Sequence, residues 1–142
     1  MKLSCLLLGS LAAVAVIVVL MLIFGVSFQH PIAQGSALYN PSNEILVTGT
    51  VVETKEFACP VSEGEMGSHV MLQTGEGVVT VHLAPGRIVR SQKMSFQPGQ
   101  TLSVVGSKSR ITGSNDLIAR EIMRGSETYI LRDREGKLLV TQ

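Results

Sequence analysis

Hydrophobic residues fall into two regimes along the chain. From Cys5 to Phe28 they run on without a charge, whereas beyond Glu44 they come in short stretches that alternate with polar residues. The first regime has the length of a bilayer crossing, because at ~1.5 Å per residue it covers the ~30 Å hydrocarbon core. Its apolar heart, Leu6 to Val26, is longer than the ~7–15 apolar residues of a secretory signal, so it reads as one retained transmembrane helix. Ala33-Gln34-Gly35 and Gly35-Ser36-Ala37 are small-x-small sites, and cleavage stays open. Lys2 is the only charge ahead of the span, which keeps the N-terminus in the cytoplasm and sends the rest out. The expected address is the cytoplasmic membrane, single-pass, with an extracytoplasmic (periplasmic) C-terminal domain. Cys5 precedes the apolar region instead of following it, which argues against a lipoprotein cysteine.

The pattern divides the chain into an anchor (1–28), a linker (29–43) and a folded domain (44–142). Pro, Gly, Ser and Asn dominate the linker, and His30 within it reads as a solvated interfacial residue. The domain shows short stretches rich in strand formers, separated by turn signals. Ile45–Val52 is the first, with Gly49 suggesting a bend or bulge. After a loop from Ala58 to Gly67 come His69–Thr74 and Gly77–Leu83, joined by Gly75-Glu76 as a tight hairpin. Arg87–Met94 reads as a short helix. Thr101–Gly106 and Leu117–Met123 are the fourth and fifth strands. The alternation in Leu117–Met123 is imperfect. Tyr129–Asp133 and Lys137–Thr141 read as a C-terminal hairpin.

Five strands with a short helix between the third and fourth is the order of the oligonucleotide/oligosaccharide-binding (OB) barrel. The expected fold is therefore mainly β: a small five-stranded OB-like barrel with a C-terminal hairpin, preceded by one transmembrane helix. The segment Phe96-Gln97-Pro98-Gly99-Gln100-Thr101-Leu102-Ser103-Val104-Val105-Gly106-Ser107 resembles the turn and fourth strand of small bacterial proteins of this class. Leu117-Ile118-Ala119-Arg120-Glu121-Ile122 and Leu131-Arg132-Asp133-Arg134-Glu135-Gly136 are similar to the tail of an uncharacterised, exported and membrane-anchored group of them. That resemblance implies a fold and an address and carries no reaction. The haem chaperones of cytochrome c maturation share the layout, but their haem-binding histidine follows the barrel with a tyrosine four residues on. Here no histidine follows His82, and Gln34, Gln73 and Gly86 stand four residues after the three histidines, so no haem activity is implied.

Hairpin register gives the sharpest site expectation. With Gly75 and Glu76 as the loop, Leu72 faces Val79 and Val70 faces Val81 on one apolar face. On the other face Met71 meets Thr80 and His69 meets His82. Facing residues have Cβ atoms ~4.5–5.5 Å apart, close enough for two imidazoles to reach one ion. Cys59 lies in the loop between the first two strands, a usual ligand-binding loop of this fold. Cys59, His69 and His82, with Met66 or Met71 nearby, would make a soft nitrogen–sulfur site suited to copper or zinc. Their spacing matches no standard zinc pattern. The plainer alternative, and the default for such residues, places both histidines on a solvated sheet face and packs Cys59-Pro60 as a small hydrophobe.

Other chemistry is hard to find. Cys5 and Cys59 fall in different regions and make no disulfide framework. No nucleophile elbow, zinc-protease helix or phosphate loop occurs, so the domain reads as non-enzymatic with no cofactor. Phe57, Phe96 and Tyr129 are scattered, which argues against the stacking platform of a single-strand nucleic-acid binder. Charge is organised: six glutamates against Lys55 between Glu44 and Glu76, then seven basic residues against Asp116 and Glu121 between Arg87 and Arg124. Solvated faces are the ordinary reading, and a polar docking surface is the functional one. The expected function is an exported binding or assembly module tethered to the membrane through residues 5–28. It would have a protein partner, or another copy of itself in a homo-oligomer, and no nucleic acid. The rival is a copper- or zinc-handling site at Cys59, His69 and His82.

Overall fold

The computed structural model describes residues 38–111 and 115–139. The span read over 1–28 lies outside them, as does the linker up to residue 37. Among the described residues no helix is long and apolar enough to cross a membrane.

Six strands build one sheet: β1 (Glu44–Ala58), β2 (Met66–Thr74), β3 (Gly77–Pro85), β4 (Thr101–Ser109), β5 (Asp116–Arg124) and β6 (Glu127–Ile130). A short helix, α1 (Gly86–Ser91), links β3 to β4. The sheet order is β3-β2-β1-β4-β5-β6, and neighbours in it are antiparallel. In addition β3 pairs with β5 in parallel, through Thr80–Asp116, Val81–Leu117 and His82–Ile118. Pairing therefore runs from β3 through β2, β1, β4 and β5 back to β3, and β6 hangs on the outer edge of β5.

β1 extends past the expected Val52 to Ala58 and serves two partners. Its first half pairs with β4 and its second half with β2. The register shifts between Val51 and Glu53, so the bulge falls here and not at Gly49. Gly49 instead marks a close approach, since a Cβ there would lie 2.7 Å from the Gln73 carbonyl oxygen. The β2–β3 register is the expected one, from Thr74↔Gly77 to His69↔His82. Its Val70, Leu72 and Val81 join Leu102, Val104, Leu117 and Ile122 in the main core. α1 adds Ile88 and Val89 to that core, each buried aliphatic contributing roughly 1.5–3 kcal/mol.

Ahead of the C-terminal hairpin, β6, which overlaps the start of that hairpin's expected first arm, folds back on β5 over Gly125-Ser126, with Arg124↔Glu127 as the closing pair. Gly125 takes φ +59°, and Arg124 Nε donates to Glu127 Oε2 at 2.9 Å across the turn. Beyond β6 the hairpin read around Arg134-Glu135-Gly136 is present in short form: the antiparallel bridge Arg132↔Leu138 is flanked by Leu139 N donating to Leu131 O at 2.9 Å and Asp133 N donating to Lys137 O at 3.0 Å. Asp133 shapes that turn by accepting from the backbone of Glu135 and Lys137 at 3.0 and 2.9 Å. The weak alternation in β5 also has a cause: Leu117 and Ala119 enter the main core while Ile118 enters a second cluster, so both faces are covered.

Candidate metal centre

The second cluster holds Tyr39, Cys59, Val61 and Ile118, with Phe57 and Ile111 packed against it. The end of β1 and the turn after it deliver Cys59. Pro60 opens a 3-10 turn (Pro60–Ser62) in which Ser62 N donates to Cys59 O at 3.0 Å. The turn closes at Glu63 and Gly64, both with positive φ, and returns the chain to β2. Val61 and Ser62 are buried by this fold-over.

This packing buries the two histidines. His69 and His82 are each 1% exposed, so the solvated-face alternative does not hold. Alternation did place them off the main core, and what covers that face is the chain leaving β1. Phe57 stacks on His69 with ring centroids 3.6 Å apart, and the two imidazoles meet edge to face at 4.7 Å.

One ligand atom from each of Cys59, His69 and His82 lies within 4.8 Å of the others. His69 Nε2 is 3.3 Å from Cys59 Sγ, and Ser62 Oγ is also 3.3 Å from that sulfur. His82 Nε2 is 3.2 Å from Asp116 Oδ1, a pair of fully buried side chains. With Nε2–H donated to the carboxylate, the neutral ring of His82 carries its lone pair on Nδ1. Nδ1 of both histidines is buried without a hydrogen-bond partner. Buried polar atoms are almost always satisfied, so the orphan Nδ1 of His82, whose Nε2 is taken by Asp116, fits a donor for an ion, while His69 turns its Nε2 toward Cys59. Burial by itself pushes the Cys59 thiol up, but the polar contacts of its sulfur, that with His69 foremost and then Ser62, outweigh it and bring its pKa down to about 5. A thiolate is the form that binds metals. Ligand atoms ~2.0–2.3 Å from a shared metal sit roughly 3.3–3.8 Å apart, so small side-chain rotations would close the site.

Met66 is 52% exposed, and the half-buried Met71 accepts from Thr80 Oγ1 at 3.4 Å. His30 lies outside the described residues. A cleft of about 960 Å³ between the start of β1, the β2–β3 turn and the β4–β5 connection is lined by Asp116 but by none of the three ligand candidates.

Arg132 is the residue least foreseen. It is 1% exposed, and its Nη1 donates to the carbonyls of Leu83, at 2.6 Å, and Ala119. Those carbonyls lie one residue past the His82–Ile118 pair, where the parallel β3–β5 ladder ends, so the guanidinium continues the ladder. Its Nε and Nη2 have no partner. Burial pushes its pKa down to about 10, opposed by Tyr39 and Cys59.

The MamS/MamX magnetosome protein family model matches residues 44–129. The chain belongs to the MamS/MamX magnetosome protein family. The matched span runs from the first residue of β1 into β6 and contains Cys59, His69, His82 and Asp116. None of the curated proteins matches this MamS/MamX chain.

Proposed function

We propose that this MamS/MamX protein is a non-enzymatic module that holds one soft transition-metal ion, copper or zinc, at the magnetosome. Cys59, His69 and His82 are its ligands. The observation that carries the reading is the convergence of one thiolate and two imidazoles in a buried pocket, with ligand atoms within 4.8 Å. The donor set is soft, which favours copper and zinc over hard cations. Asp116 fixes the tautomer and orientation of His82, as a carboxylate does behind a metal-bound histidine.

We further read the closed circuit of strand pairings as an OB-like barrel, since it joins five strands around one core with a helix between the third and fourth. In this reading the hydrophobic run at 5–28 anchors the module in a membrane, the domain faces the extracytoplasmic side, and its partners are proteins. The test uses full-length protein in detergent, titrated with Cu(I) and Zn(II), beside Cys59→Ser and His82→Ala. One metal ion per chain is expected, with binding lost in both variants. Weak binding indifferent to both substitutions would remove the site and leave a metal-free binding module.

A further inference from the structure

The donor set narrows the metal further, in an argument that rests on the metal reading above. A structural zinc site takes four ligands in a tetrahedron. Among the described residues the cluster has three members, one sulfur and two imidazoles. The Asp116 carboxylate is engaged by His82 and so orients a ligand. Two imidazoles and one thiolate are the strong donors of copper electron-transfer sites, whose potential is tuned by hydrogen bonding at the sulfur and by apolar surroundings. Both tuning features are present. Ser62 Oγ contacts Sγ at 3.3 Å, and Phe57, Val61 and Ile118 enclose the site in the second apolar cluster. All three ligand side chains are buried, which shields a bound ion from bulk water.

We propose that the site is selective for copper and that the bound ion passes between Cu(I) and Cu(II) while Cys59, His69 and His82 stay its ligands. In one direction Cu(I) gives one electron to a one-electron acceptor, and in the other Cu(II) takes one from a one-electron donor. No covalent bond of the protein forms or breaks, and no proton moves. The guanidinium of Arg132, fixed on the Leu83 and Ala119 carbonyls, places a buried positive charge one residue along β3 from His82. A nearby cation disfavours the higher charge on the metal, so Cu(I) is the resting state.

Full-length protein in detergent, loaded with one equivalent of Cu(I) without oxygen, is oxidised with ferricyanide and reduced with ascorbate. The colourless protein should gain an intense visible thiolate-to-Cu(II) band and lose it on reduction, over repeated cycles. Its midpoint should lie above that of the aqueous copper couple. Zinc-loaded protein should stay colourless and give up its metal to equimolar Cu(I). Cys59→Ser should show no band, and His82→Ala replaces it as the control if circular dichroism finds the serine variant unfolded. Copper that binds one to one but yields no thiolate band, or leaves on oxidation, overturns the electron-transfer inference and leaves the metal reading standing. Zinc retained against Cu(I) does the same for copper selectivity. A midpoint at or below the aqueous couple removes the bias assigned to Arg132. Failure of the wild-type chain to retain any metal overturns both readings.

Discussion

At position 67 only a hydrogen fits. A Cβ built there would fall 1.9 Å from Ser62 Oγ and 3.1 Å from His69 Cε1. Ser62 sits buried on the 3-10 turn that carries Cys59, so it has no room to withdraw without moving that turn. Gly67→Ala should therefore weaken metal binding by about 10–100-fold, as loss of a ligand's supporting contacts does, and cost roughly 1–3 kcal/mol by overpacking. A competition titration and a thermal melt check the two effects, and unchanged affinity would refute the coupling of Gly67 to the ligands. Asp116→Asn tests the other side of the site. It keeps the size of the side chain but offers the His82 ring a mixed donor and acceptor, so the tautomer is no longer imposed. Affinity should again fall about 10–100-fold, this time with the circular dichroism spectrum preserved. Equal affinity in Asp116→Asn would mean that His82 is oriented by packing alone.

Among the elements, the β2–β3 hairpin was legible because its rules are local. A two-residue loop and a period of two define which side chains share a face, and His69 opposite His82 followed from counting. The burial of that pair was not legible, because it depends on β1 running to Ala58 and folding Pro60–Ser62 over the outer face. Cys59-Pro60 with Ser62 three residues on did carry a turn signal. Asp116 reaches His82 through the parallel β3–β5 contact, a pairing that no local pattern announces. The C-terminal hairpin was legible from its Arg134–Gly136 turn, whereas the Gly125-Ser126 turn that pairs β6 with β5 went unread. The hairpin loop also yields a prediction with opposite signs at neighbouring glycines. Gly77 has φ +115°, whereas Gly75 has no positive φ and open space where its Cβ would be. Gly77→Ala should destabilise the domain by about 1–3 kcal/mol of backbone strain. Gly75→Ala should leave it unchanged or stabilise it by up to about 1 kcal/mol, through the lower entropy of the unfolded chain. Denaturant midpoints of the two variants decide this, and equal losses would contradict the turn geometry.

For the domain as a whole, the segregated charges read from the sequence turn inward on each other. Glu56 pairs with Arg90, Glu65 with Arg87 and Glu44 with Arg120, each joining the acidic stretch to the basic one at 2.7–3.0 Å. The first two are exposed and are worth little, about 0–1 kcal/mol each. Glu44 is different, because it also accepts from the Tyr39 hydroxyl and ties the segment before β1 to β5. Its carboxyl is held below the usual range chiefly by the Arg120 hydrogen bond, against burial and with help from Tyr39. Tyr39 is pushed well above its ordinary value by burial and then by Glu44. The two shifts act at opposite ends of the pH scale. A depressed carboxylate stabilises the fold fully above its unfolded pKa of ~4.3, and that stability drains away as the pH falls through the folded value. A raised tyrosine stabilises it below ~10, and the contribution is lost as the pH rises through the folded pKa. Metal-free protein should therefore lose melting temperature on acidification below about pH 4.3 and on alkalinisation above about pH 10. Each 1 kcal/mol moves the melt by roughly 4–8 °C in a domain of this size. Glu44→Gln should flatten the acid limb and leave the alkaline limb shallower, since the Tyr39 shift partly depends on Glu44. Tyr39→Phe should abolish the alkaline contribution and weaken the acid limb only slightly, because Arg120 still holds the carboxylate. An acid limb identical in Glu44→Gln and the wild-type protein would assign acid sensitivity to other carboxylates and deny this contact its place between β1 and β5.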